Sequence, residues 1–152
     1  MKVLKYTGSP IAVRFAGEGL WRLTEKADCA IHTVDGVLRY TLLPGFPTNM
    51  RSGSHVIDPI IPKFTDSNDY NWAIIVHDAN YTKNCKGGHF LSRLLADQLL
   101  CEMARVSGTL NTIQRALMYR SLRMFGNSAY ECENTGEYAG AEFYMSFTWD
   151  AK

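Results

Sequence analysis

The sequence contains no CxxC pair: its four cysteines stand apart at positions 29, 85, 101 and 132. A zinc site built on cysteine is thereby disfavoured. No apolar stretch reaches the roughly 20 residues that a membrane-spanning helix needs. Met1-Lys2-Val3-Leu4-Lys5 runs into Tyr6-Thr7-Gly8 rather than into an apolar segment, so no secretory signal is expected. The even cysteine count is accordingly read as four reduced, mostly buried thiols, not two disulfides. An excess of one charge is missing too. Sixteen Lys and Arg face 15 Asp and Glu, a net charge of +1, which gives no support for a nucleic-acid-binding protein. Internal repeats and low-complexity segments are absent. Ser52 and Ser54 do not form a G-x-S-x-G elbow, which disfavours a serine hydrolase. Proline is scarce, and four of the five, Pro44, Pro47, Pro59 and Pro62, crowd into residues 44–66.

What remains is a 152-residue chain with 46% hydrophobic and 20% charged residues. That is ordinary globular composition and enough for one domain with its own core. Residues 1–43 read as β-rich. Ile11–Phe15 and Leu20–Leu23 are short strand candidates around Gly17-Glu18-Gly19. Cys29–Thr33 and Val37–Leu42 flank Val34-Asp35-Gly36, a strong hairpin signal, because glycine tolerates the positive φ such a turn needs. Residues 44–66 read as an irregular loop through which no regular element should run.

Residues 67–126 read as helical. Asp66-Ser67-Asn68-Asp69 offers an N-cap for a first helix reaching about Asn84, stopped by Lys86-Gly87-Gly88. A second helix is expected over Phe90–Val106, with the stripe Leu91, Leu94, Leu95, Leu99 and Met103. A third follows Ser107-Gly108-Thr109 and covers about Leu110–Phe125. Residues 127–152 carry the alternating run Phe143–Trp149, a final strand candidate that could join the N-terminal sheet. The expected architecture is α+β: a small antiparallel sheet packed on three helices.

The chemistry concentrates in His77-Asp78-Ala79-Asn80-Tyr81, which ends the apolar run Asn71–Val76. A buried imidazole needs a hydrogen-bond partner, and a buried carboxylate needs a partner or a cation. Positions four apart share a helix face, so His77 and Tyr81 point together, while Asp78 is turned about 100° away. If the first two helices form an antiparallel hairpin, Asp97 meets His77 and Tyr81. A carboxylate on one imidazole nitrogen leaves the other free to take a proton. Asp78, aimed at the proline-rich loop, would have loop carbonyls with which to hold a hard cation.

HDxxY on one helix, with an Asp about twenty residues on in the next, resembles the secreted phospholipase A2 superfamily. The resemblance implies His77 as the base that activates water, Asp78 as a calcium ligand, Asp97 as the group orienting His77, and Tyr81 bonded to Asp97. A longer resemblance, over roughly residues 20–130, is to the tailed-phage and prophage family called domain of unknown function 1353. It rests on Leu20–Leu23 with the hairpin, Gly45-Phe46-Pro47-Thr48-Asn49 with Ser52, Ala73–Tyr81, Ser92-Arg93 with Ala96-Asp97, and Met118-Tyr119 through Arg123–Gly126. Asn49 stands where that family usually has Asp, and the glycine-rich calcium loop of phospholipases is replaced by Ser52–Pro59, in which Asp58 is the candidate second metal ligand.

These resemblances imply a tailed-phage protein of the virion or tail, made in the host cytoplasm and acting mainly through contacts with other phage proteins. The alternative is a calcium-dependent hydrolase cutting ester or amide bonds of the host envelope. A third reading is an accessory factor that binds a host protein. Plainer readings stand beside the sharp ones. His77, Asp78, Tyr81 and Asp97 would serve equally as a polar strut between helices. His32 reads as an exposed strand residue, His55 as a loop residue and His89 as a helix start. Arg115, Arg120 and Arg123 form a basic face, with one of them paired to a carboxylate such as Asp97 or Glu102. Tyr144, Phe147 and Trp149 are either a partner-binding patch or a core strand. Cys85 lies two turns from His77, too far for a Cys–His pair.

Overall fold

The computed structural model describes all residues except Glu18, 51–58 and Phe64. Its strands are β1 (Val3–Gly8), β2 (Val13–Gly17), β3 (Leu20–Leu23), β4 (Ala27–Thr33), β5 (Gly36–Leu42), β6 (Pro47–Thr48) and β7 (Met145–Ala151). Its helices are α1 (Asn68–Tyr81), α2 (Arg93–Ser107), α3 (Thr112–Phe125) and a short α4 (Asn127–Glu131). Two antiparallel sheets form among the described residues, in the orders β1-β4-β5-β7 and β2-β3-β6. The α+β class is therefore as expected, with the C-terminal strand paired to β5 along its whole length.

The hairpin β4–β5 forms where Asp35-Gly36 stands. Thr33 Oγ1 accepts from the amides of Asp35 and Gly36 and donates to the Gly36 carbonyl. Both strands alternate strictly. Ala27, Cys29, Ile31 and Thr33 of β4 and Leu38, Tyr40 and Leu42 of β5 point into the core. One face of the four-stranded sheet is thus apolar and packs on helices, the usual economy of an antiparallel sheet.

Ten of the 14 residues of α1 are buried. Its buried residues fall on every side, which marks a helix enclosed by the fold rather than lying on it. Ser67 caps its start, accepting from the Tyr70 amide. Trp72 reaches the end of β1, where its indole N–H donates to the Ser9 carbonyl at 2.8 Å. A Cβ on Gly8 would lie 2.0 Å from that ring, so only glycine fits there. The Tyr6 hydroxyl contacts the carbonyls of both Asp69 and Met103. The start of α1 therefore lies beside the end of α2, and the two helices are antiparallel.

Several expectations need correction. Residues 44–66 hold one regular piece: β6 pairs with β3 through Trp21↔Thr48 and Arg22↔Pro47. Its proline is tolerated because β6 is an edge strand with no neighbour requiring its N–H. Helix α1 ends at Tyr81, not Asn84, with Thr82 extended. Helix α2 starts at Arg93, not Phe90, because Ser92 caps it by accepting from Leu95. Helix α3 starts at Thr112 behind a capping box of Asn111 and Gln114. The segment after residue 126 is not a plain tail; it carries α4 and two 3-10 turns, Gly136–Tyr138 and Ala141–Tyr144. The thiols are all free, but only Cys29 is fully buried; Cys85 and Cys132 are exposed. No helix among the described residues is long and apolar enough to cross a membrane.

Candidate functional site

Asp97 sits on the inner face of α2 with no solvent exposure. Three donors converge on it. His77 Nε2 lies 3.1 Å and the Tyr81 hydroxyl 2.6 Å from its Oδ1, and Arg123 Nη1 lies 2.7 Å from Oδ2. Burial pushes the Asp97 carboxyl up, but hydrogen bonds from His77, Tyr81 and Arg123 outweigh it and hold the group below its ordinary value. Asp97 is thus an ionised carboxylate in a dry place, which is sustainable only with several donors. The rings of His77 and Tyr81 lie 4.1 Å apart between centroids, as one shared helix face requires. The phenol of Tyr81 is pushed up by burial and by the Asp97 carboxylate, so it remains a donor. The geometry expected for His77, Tyr81 and Asp97 is present, and Arg123, not Arg115 or Arg120, is the arginine that reaches Asp97.

Asp78, next in sequence, is turned to the other side. Its carboxylate accepts a short hydrogen bond from Thr48 Oγ1 and a second bond from the Asn49 backbone amide. It therefore does face the proline-rich loop. Burial raises its pKa to about 6, with Thr48, His77 and Asn49 working against the rise. Calcium takes six to eight oxygen ligands. Here Asp78 is held by two donors, and no group of three or more His, Cys, Asp or Glu among the described residues converges to hold a metal. Asp58, the other expected metal ligand, lies outside the described residues, as does His55. The described part of the site does not fit calcium.

His77, Asp78 and Tyr81 form one wall of a cavity of about 580 Å³. The C-terminal half of α3 supplies Ser121, Leu122 and Phe125, and the segment from α4 to Tyr138 closes the other side. That segment is tied down as a strap. Asn134 bonds both the amide and the carbonyl of Lys83, and Glu133 pairs with Lys83 at 2.5 Å. Tyr130 packs edge-on against Tyr81 and stacks on His89 at 3.7 Å. His89 is therefore not a helix start but a prop for the strap, and its buried Nε2 has no hydrogen-bond partner among the described residues. His32 lies half-buried in β4. Cys85 is remote from His77, its thiol donating to the Glu142 carbonyl at 3.3 Å.

Thr48, marked in the sequence only within a resemblance, and Asn134 are not foreseen as site residues; side-chain bonds join them to Asp78 and Lys83 across 30 and 51 residues of chain. Neither lies in a periodic pattern that would have singled it out. No family model, curated protein or solved structure matches the chain.

Proposed function

We propose that this is a tailed-phage protein whose cavity hydrolyses an ester or amide bond, with His77 as general base and Asp97 as its positioning residue. One observation carries the reading: the imidazole held by Asp97 lines the wall of a cavity large enough for a small substrate group. A purely structural strut needs no such cavity. Because Asp97 is ionised and can only accept, the His77 Nε2 bound to it is the donor. Nδ1 is then the nitrogen that takes a proton from water. The resulting hydroxide adds to the carbonyl carbon, and collapse of the tetrahedral adduct expels the alcohol or amine. The proton on Nδ1 passes to that leaving group, restoring neutral His77. Tyr81 and Arg123 keep Asp97 in place and ionised through the cycle.

The test uses the purified chain with a panel of p-nitrophenyl and alkyl esters and acyl amides of increasing acyl length. His77→Gln should lower kcat/KM by about 10² to 10⁴, the usual worth of a general base, while circular dichroism remains that of the folded protein. A wild-type chain inert across the panel, or a His77→Gln variant of equal activity, overturns the reading.

A second reading is favoured by the saturation of the same network. Asp97 receives three donors from α1 and α3, and Asp78 ties α1 to β6. Such a network suits a virion or tail component acting through protein contacts. Copurification with phage particles at fixed stoichiometry supports it; absence from particles refutes it.

A further inference from the structure

The four-stranded sheet has two edges, and they are treated differently. At the β1 edge the pairing register shifts between Val3 and Lys5. The free backbone groups of Val3 are taken up by α2, Glu102 accepting from its amide and Arg105 donating to its carbonyl. A bulge, a lysine and covering side chains are the usual devices that keep an edge from pairing with another chain. Among the described residues the β7 edge has none of them. Its seven residues, Met-Ser-Phe-Thr-Trp-Asp-Ala, contain no proline, lysine or arginine and pair with β5 without a register shift.

The direction of the β7 backbone groups follows from the two bonds that flank the ladder. The Leu43 amide donates to the Tyr144 carbonyl, and the Lys152 amide to the Asp35 carbonyl. In an antiparallel pair, hydrogen-bonded and non-hydrogen-bonded positions alternate. Ser146, Thr148 and Asp150 therefore turn their N–H and C=O groups towards β5. Met145, Phe147, Trp149 and Ala151 turn theirs outward, and no hydrogen bond to those outward groups is found among the described residues.

We propose that β7 pairs antiparallel with β7 of a second copy of this chain, about a two-fold axis at Thr148, joining two four-stranded sheets into one of eight strands. Only that register pairs all four outward-facing residues of the strand with their counterparts. Phe147 falls opposite Trp149 of the second copy and Met145 opposite Ala151, and all four are residues whose backbone groups point outward. Every outward donor and acceptor of the strand thus finds a partner. Phe147 already stacks on Phe90 and packs at a tilt against its cross-strand neighbour Tyr40. Trp149, on the same face and 38% exposed, is then covered by the aromatic ring across the axis, a favourable cross-strand pair. On the opposite face Asp150 meets Ser146, so no like charges oppose each other. The contact is isologous and closes on itself, as a two-fold dimer requires.

Sedimentation velocity at tens of micromolar should give twice the 17.1 kDa chain mass. Trp149→Lys should return it to the single-chain mass. The register is tested separately in a Cys85→Ser, Cys132→Ser background. Thr148 faces its own symmetry mate at a non-hydrogen-bonded position, where Cα atoms lie about 4.5 Å apart, within disulfide reach. Thr148→Cys should therefore cross-link to a covalent dimer under mild oxidation, while Ser146→Cys, facing Asp150, should not. A single-chain mass at these concentrations overturns the proposal, as does a Thr148→Cys variant that cross-links no better than Ser146→Cys.

Discussion

Two carboxylates of the site respond to burial in opposite ways, and the difference is in their donors. Asp97 takes bonds from an imidazole, a phenol and a guanidinium; Asp78 takes a hydroxyl and one amide. The first is therefore held below its ordinary value and the second is raised to about 6. The signs for stability follow. Asp97 binds its proton more weakly in the native state than in the unfolded one. Its contribution is fully present above pH ~4 and is lost as pH falls through the depressed native pKa. Asp78 binds its proton more tightly when folded, so its ionisation erodes stability as pH rises from about 4 to about 6. Urea unfolding should show Asp97→Asn destabilised by about 3–5 kcal/mol at pH 7, because partners of a buried charge are stranded. Asp78→Asn should instead be more stable than wild type at pH 7, by at most about 3 kcal/mol, and the difference should vanish near pH 4.

At the scale of elements, what could be read from the sequence was what is local. The β4–β5 hairpin rests on Asp35-Gly36 and its alternating flanks, and both are visible in a ten-residue window. The Ser67 cap of α1 is equally local. The start of α2 departs from the expected Phe90 because Leu91 extends the apolar stripe past Ser92, and periodicity hides the cap. The end of α1 departs from the expected Asn84 because Lys86-Gly87-Gly88 looks like a stop. The chain in fact leaves the helix at Thr82, whose hydroxyl donates to the Asp78 carbonyl. Strand β6 was invisible because its partner is supplied by β3, across the hairpin. The contact of Gly8 with Trp72 makes a sharper prediction than any of these. Gly8→Ala should force the indole off the β1 terminus and lower the melting temperature by several degrees, whereas Gly88→Ala, where a Cβ meets nothing within 4 Å, should not.

In the whole molecule, the His77, Tyr81 and Asp97 cluster was legible because helical spacing and one assumed helix hairpin suffice to assemble it. The rest of the site depends on contacts that no spacing encodes: Thr48 from the sheet side, Arg123 chosen from three arginines, and the strap fastened by Asn134. The cavity is thus a property of the assembled fold, while the His77–Asp97 pair is a property of two helices. That division explains why the helix pair is legible in the sequence and the cavity is not.

The enclosure of α1 has a dynamic consequence. Helix α1, with ten of its 14 residues buried, cannot fray outward over them while its surroundings stay folded, because each that leaves opens a void or exposes a buried polar group. Its amides should therefore exchange with deuterium only through opening of the entire domain, at the slowest rate in the chain. The amides of α4, which has no buried residue, should exchange orders of magnitude faster. Native-state exchange followed by mass spectrometry would separate the two. On that expectation His77 and Asp78 ride on the slowest-exchanging unit of the molecule.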